Sequence, residues 1–371
     1  MNRFDHALGR LVSMRALALL RIPAGLIVVL HLRPFLDDAR NGHIYRDAFT
    51  EPYAAWYPEL PRSLYVAVLW LGVAAAIAMA AGLCTRLATA TTFGVVAYNL
   101  FLSTTHMHNN RAYLVVVLAL LAVAPCGREL SADAWIRRRQ GKPPLDPSAP
   151  AWPLLLLRFE ASVVYGASAV SKLVDPDWFG GNVTWDRTVR DRSDMFASGV
   201  PDWLVSILTD RDFHTFAAKV IVLTELFIAI GLWVRVTRYA AVWVAVCFHI
   251  AIELSASVQV FSLVAISALV IWAEPATRDR VVSFDPAVAA HRRLVAFVRP
   301  LDWLARFRLE PGSSGTPLRV VDRDGSEDTD VAAAVLVLSR LPVTAFFALP
   351  ALLVFGRGHA RARPKAVASG S

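Results

Sequence analysis

Thr104-Thr105-His106-Met107-His108-Asn109-Asn110-Arg111-Ala112-Tyr113-Leu114 is a dense polar cluster between two stretches, 86–103 and 112–126, each apolar enough to sit in lipid. Polar groups at membrane depth are costly unless partnered or wet, so such a cluster usually marks a functional cavity. The competing reading is an ordinary turn whose Asn side chains satisfy local backbone groups.

The rest of the chain supports a bilayer setting. Of 371 residues, 56% are hydrophobic and only 18% are charged, where a soluble protein carries about 25%. The fold class expected is an all-α polytopic membrane protein of about eight transmembrane helices, at 12–32, 63–83, 86–103, 112–126, 152–171, 216–234, 238–255 and 258–273. The first is a retained span, because no cleavage site follows a short apolar core. The net charge of +8 fits cytoplasmic loops facing anionic headgroups. No basic patch interleaved with stacking aromatics points to nucleic acid. Cys84, Cys126 and Cys247 are isolated, which supports neither a disulfide framework nor a zinc site.

With the N-terminus inside, the short-loop basic residues Arg86, Arg137-Arg138-Arg139, Arg235, Arg238, Arg278 and Arg280 all fall on the cytoplasmic side. The Asp-rich segment 173–214 falls outside. N-in, C-in is the arrangement expected, in a plasma (inner) membrane, since heavy Ala, Val and Arg usage suggests a GC-rich bacterium. This puts the opening cluster at the level of His31, Lys172, His249 and Glu253. Three regions result: a transmembrane domain over 1–274, a small cytoplasmic α/β appendage over 275–357 read as β-α-β-β-α, and a disordered basic tail over 358–371. Residues 331–355 are apolar enough for a ninth span, against which Arg340, Pro342 and Pro350 argue.

Several ionisable residues fall within spans. Lys172 ends the fifth; a lysine there either snorkels to the headgroups or, partly buried, becomes a general base. His249 and Glu253, four apart, share a helix face. Arg21, Glu160 and Glu225 are read as structural intramembrane charges. The tethers expected are Arg21 to Glu225 or Glu160, and Glu253 to His249. A metal held by His106, His108, His249 and Glu253 has no supporting spacing, and none is expected. His106, His108, Asn109, Asn110, Arg111 and Tyr113 are the candidate substrate-binding residues with His249 and Glu253.

His108-Asn109-Asn110-Arg111-Ala112-Tyr113-Leu114 resembles the Asn-Asn-His-x-Tyr-Leu motif of the vitamin K-dependent gamma-carboxylases and their bacterial relatives, which share the horizontally transferred transmembrane (HTTM) domain. Tyr165 to Lys172, followed by Asp177-Trp178-Phe179-Gly180, is similar to that family's Lys-Leu segment, and Leu20–Leu26 resembles its first span. The resemblance covers residues 10 to about 273. It implies that Lys172 is the base that deprotonates a reduced quinone, which oxygen converts to an epoxide through a strongly basic alkoxide. In the family that base takes a proton from a glutamate, which then captures carbon dioxide. Here Arg111 replaces the motif's histidine and cannot shuttle a proton, and the large extracytoplasmic domain of the animal enzymes is absent. Both weigh against glutamate carboxylation. The appendage resembles the DCC-type thiol–disulfide oxidoreductases, thioredoxin-like modules, with Val288 and His291 at the two cysteine positions, so no thiol exchange is expected.

The functional expectation is therefore a quinol-dependent, epoxidase-like membrane enzyme, with a reduced quinone and the lipid bilayer as its partners. The alternatives are a non-catalytic scaffold or quinone/lipid-binding protein, or a DoxX-like membrane redox component.

Overall fold

A computed structural model describes the chain except for residues 1–2, 43–50, 105–106, 191–194, 196–198, 257–259, 274–277 and 356–371. The order begins α1 (Arg3–Gly9), β1 (Leu11–Ser13), α2 (Arg15–Asn41), α3 (Arg62–Ala81), α4 (Thr85–Phe101), α5 (Asn109–Val123), α6 (Ala132–Arg139), β2 (Ser148–Pro150) and α7 (Trp152–Val174). It continues α8 (Pro176–Phe179), α9 (Asn182–Arg190), α10 (Asp202–Leu208), α11 (Arg211–Gly231), α12 (Arg238–Ala256) and α13 (Val260–Ala268), the last prolonged by a 3-10 turn over Leu269–Trp272. The C-terminal part is β3 (Arg280–Phe284), α14 (Ala289–Leu301), β4 (Phe307–Pro311), β5 (Arg319–Val321), β6 (Glu327–Thr329), α15 (Asp330–Arg340) and α16 (Pro342–Phe355).

Helices occupy all eight expected span positions, but they are not equal. Four are long and apolar enough to cross a membrane by length and composition: α2, α3, α7 and α11. The helix α5 has 15 residues, about 22 Å at 1.5 Å per residue, against a hydrocarbon core of about 30 Å. The 27 residues of α2 reach about 40 Å. Gly42 and Gly82 end α2 and α3 in the left-handed conformation, at φ 78° and 71°, which lets their N–H groups turn back onto the last carbonyls.

Small residues set the helix spacing. A Cβ on Gly25 of α2 would meet the Ala76 carbonyl of α3 at 2.5 Å, so the two backbones approach as only glycine allows. Around this contact Leu17, Leu20, Leu32, Leu69, Met79, Leu114 and Leu118 form a continuous buried core. The outward residues Leu26, Leu30, Trp70, Leu87, Phe159 and Leu223 are each more than half exposed. So many exposed large apolar side chains on spanning helices suit lipid as the solvent.

The C-terminal part is a four-stranded sheet in the order β4-β3-β5-β6. The pair β3/β4 is parallel, joined by α14, while β3/β5 and β5/β6 are antiparallel. The strand β6 adds a member to the expected β-α-β-β-α order. Val282, Phe284, Val298, Phe307, Val320 and Val337 fill its core. Residues 331–355 do not make one spanning helix. Pro342 lacks an N–H and forces Leu341 into an extended conformation (φ −85°, ψ 134°), which splits the segment into α15 and α16. The latter docks on α12: Trp243 Nε1 donates to the Phe346 carbonyl at 2.8 Å, with the rings stacked at 5.7 Å. Arg15 ties α2 to the same part by donating to the Trp303 carbonyl, and it pairs with Glu129 at 2.9 Å. The expected basic tail, 358–371, lies outside the described residues.

Candidate functional site

Tyr165, Ser168 and Lys172 lie three and four residues apart on α7, so they share one face. That face packs on α11, where Glu225 is buried past the helix midpoint. Lys172 Nζ donates to Glu225 Oε1 at 2.6 Å and to Ser168 Oγ at 2.6 Å; Ser168 Oγ donates to the same Oε1 at 2.9 Å. The pair is largely out of solvent, with side-chain exposures of 16% for Lys172 and 5% for Glu225. The second carboxylate oxygen, Oε2, is buried without a hydrogen-bond partner.

The loop after α7 holds Lys172 from outside. Asp175 caps α8 by accepting from the Asp177 and Trp178 N–H groups at 3.0 and 3.3 Å, which sets the Trp178 ring 5.0 Å from Lys172 Nζ. Gly181, at φ 83°, presses so closely on α11 that a Cβ would lie 2.6 Å from the His214 and Thr215 backbone. Thr215 Oγ1 donates to the Gly180 carbonyl at 2.9 Å. The Trp178 loop and the helix carrying Glu225 are thus fixed to each other.

Two turns from Lys172 along α7, Tyr165 Oη lies 2.6 Å from His249 Nε2 of α12. Both side chains are buried, and His249 Nδ1 has no hydrogen-bond partner. Phe261 of α13 stands edge-on to His249 at 5.3 Å and to Tyr113 of α5 at 5.9 Å. Tyr113, Phe261, His249 and Tyr165 therefore form a continuous aromatic contact across four helices.

Of the residues singled out in sequence, Tyr113, Lys172, Glu225 and His249 enter this region. Glu253 is half-buried one turn beyond His249. His108 is exposed at the N-terminus of α5, and its Nδ1 accepts from the Asn110 N–H at 3.3 Å as a local cap. Asn109 is exposed beside it and Asn110 half-buried. Arg111 sits over the Phe35 ring at 5.1 Å, and Phe35 in turn meets buried His31 at 5.5 Å, so this part of the cluster links α5 to α2. His106 lies outside the described residues.

The expected tethers are replaced. Glu225 belongs to Lys172, and His249 bonds Tyr165. Arg21, fully buried, donates to the Met79 carbonyl, to the Ala80 carbonyl at 3.0 Å and to the Leu130 carbonyl at 2.7 Å. Met79 and Ala80 end α3, where the Met79 carbonyl also accepts from the Gly82 N–H at 3.0 Å, so helix-end carbonyls supply Arg21 with the acceptors that a carboxylate would have given it. Arg158 does likewise with the Ile271 carbonyl at 2.7 and 3.0 Å. Glu160 is half-buried and makes no ion pair among the described residues. Tyr165 and Ser168 were missing from the sequence-based set; their i, i+3, i+7 spacing with Lys172 was the available signal.

The sequence model of the HTTM domain family matches residues 10–276. No curated protein and no solved structure matches the chain.

Proposed function

We propose, from the premise that this chain belongs to the HTTM domain family, that it is a membrane enzyme related to the vitamin K-dependent carboxylases, acting on a reduced quinone with the Lys172–Glu225 pair as its proton acceptor. The observation that carries the reading is the state of Glu225. Its Oε1 is taken by Lys172 and Ser168, while Oε2 is buried and unpartnered. The accepting atom of the pair is Glu225 Oε2, and Lys172, bonded to Oε1, holds that carboxylate in place. Once Oε2 is protonated, the Lys172 charge stands free to stabilise an anionic substrate oxygen in a low-dielectric site.

His249 Nδ1 is another unpartnered buried atom, two helical turns from Lys172 along α7, and Tyr165 fixes the ring that presents it. Two such polar atoms with Tyr113, Phe261 and Trp178 around them suit a flat ring bearing two oxygens. A reduced quinone bound here supplies the electrons and the ionisable hydroxyl. Glutamate carboxylation is outside this reading, because Arg111 stands where the family's motif has histidine. The C-terminal part is read as a thioredoxin-like module without thiols. The parallel β3-α14-β4 unit followed by two antiparallel strands supports this, and His291 Nδ1 accepts from the Asp285 N–H at 3.2 Å where a cysteine would stand.

Quinone binding without turnover is the second reading, favoured by the carboxylate, hydroxyl and indole face that already satisfy Lys172. The deciding experiment supplies purified full-length protein in nanodiscs with menaquinol and oxygen and follows quinone epoxide by mass spectrometry. Turnover in wild type that is lost in Glu225→Gln and Lys172→Ala supports the enzyme. Saturable quinone binding with no epoxide selects the second reading, and turnover unchanged in both variants sinks the assignment of the pair.

A further inference from the structure

A cleft of about 280 Å³ opens where the ends of α11 and α12 meet the C-terminal sheet, lined by five arginines and two aspartates. Arg235 comes from the turn between the two helices, Arg238 from the start of α12, Arg280 from the start of β3, Arg323 from the turn after β5, and Arg340 from the end of α15. The positive charges exceed the negative by three.

The internal pairing leaves donors over. Asp322 is shared: Arg280 Nε approaches its Oδ1 at 2.8 Å, and Arg340 Nη2 its Oδ2 at 3.6 Å. One carboxylate thus faces two guanidinium groups. Arg323 is taken by Asp279 at 2.7 Å. Asp324 is occupied by Ser326, whose N–H and hydroxyl donate to it at 3.0 and 2.6 Å. Arg280 is only 4% exposed, yet its Nη1 has no hydrogen-bond partner, and neither has the buried Nε of Arg340. Arg340 is also held over the Tyr239 ring at 5.2 Å, which fixes its plane. A buried guanidinium N–H without an acceptor is costly, so its retention in a cleft of excess positive charge points to an anion that completes the set.

We propose that this cleft binds a phosphate group, with Arg280 and Arg340 as its principal ligands. Forked donors converging from separate elements match the several oxygens of a phosphate better than the two of a carboxylate. The cleft adjoins the ends of membrane helices, so the phosphate belongs either to a lipid headgroup or to a soluble compound.

The test uses the full chain. Melting in detergent is followed with inorganic phosphate against chloride at matched ionic strength, and lipid retention is followed by native mass spectrometry after exchange into phosphatidylcholine with or without phosphatidic acid. The variants are Arg340→Gln and the paired Arg280→Gln/Asp322→Asn, which removes the buried ion pair together. Arg308→Gln, in an exposed pair with Glu310, is the control. Stabilisation by phosphate, weakened about tenfold or more in apparent affinity in Arg340→Gln, identifies a soluble source. Retention of phosphatidic acid without a phosphate response, lost in the same variant, identifies a headgroup. If the double variant does not fold, Arg340→Gln decides alone. No response to either probe in wild type, or equal responses in wild type and Arg340→Gln, overturns the proposal.

Discussion

Lys172 Nζ and Glu225 Oε1 stand 2.6 Å apart between α7 and α11, and Ser168 joins the same oxygen. Removing one partner strands a charge in a poorly solvated place. Lys172→Met and Glu225→Met are each expected to destabilise the protein by about 3–5 kcal/mol, and the double variant by less than either single change. Denaturant titration in mixed micelles measures this. Additive losses would mean the two side chains are not coupled.

Arg21 satisfies carbonyls at the end of α3 and at Leu130. Arg21→Met takes this donor from the Ala80 and Leu130 carbonyls, while the Met79 carbonyl keeps the Gly82 N–H, at about 1–3 kcal/mol for each group left without a partner. Arg21→Lys should recover little, because a single ammonium cannot span the forked geometry. The measurement is the melting temperature of both variants. Full recovery by lysine would show that charge alone matters.

Asp133 caps α4 from a different helix, accepting from the Cys84 N–H at 2.8 Å and the Thr85 N–H and hydroxyl at 2.8 and 2.7 Å. Partial burial pushes its carboxyl upward, but the bonds from Thr85 and Cys84 and the charge of Arg21 outweigh this and hold it below the ordinary carboxylate range. A group depressed in the folded state contributes stability above its unfolded value, about 3.9, and loses it as pH falls through the folded one. Asp133→Asn should cost about 1 kcal/mol at neutral pH and flatten the acid limb below about pH 4. Melting curves at descending pH read both effects, and an unchanged acid limb would remove Asp133 from the account.

Cys84 is exposed and Cys126 buried. With the N-terminus inside, a membrane-impermeant maleimide should label Cys84 in inside-out vesicles and not in right-side-out ones. The opposite pattern would invert the assigned topology.

Much of the helical framework was legible because apolar runs and their glycine and proline stops are local signals. Pro342, which argues in the sequence against one span over 331–355, is where the segment splits. Partner choice was not. The sequence places Arg21, Glu160, Glu225 and Lys172 at membrane depth, and carboxylate–guanidinium pairing is the natural guess for such a set. It fails because backbone carbonyls at helix ends and turns have acceptor capacity to spare, which Arg21 and Arg158 use instead. The polar cluster at 104–114 was also read as a single unit. Helix geometry divides it, with His108 capping at the surface and Tyr113 turned inward toward Phe261.

The bonds of Arg21 bear on how the chain is made. Arg21 lies six residues into α2, level with the end of α3, where a charged side chain still needs polar partners. Its acceptors lie on α3 and near Leu130, which leave the ribosome only after α2. The full set of Arg21 partners therefore exists only once the chain through residue 130 has been made. One side chain thus joins three separately made parts of the chain, α2, the end of α3 and the turn at Leu130.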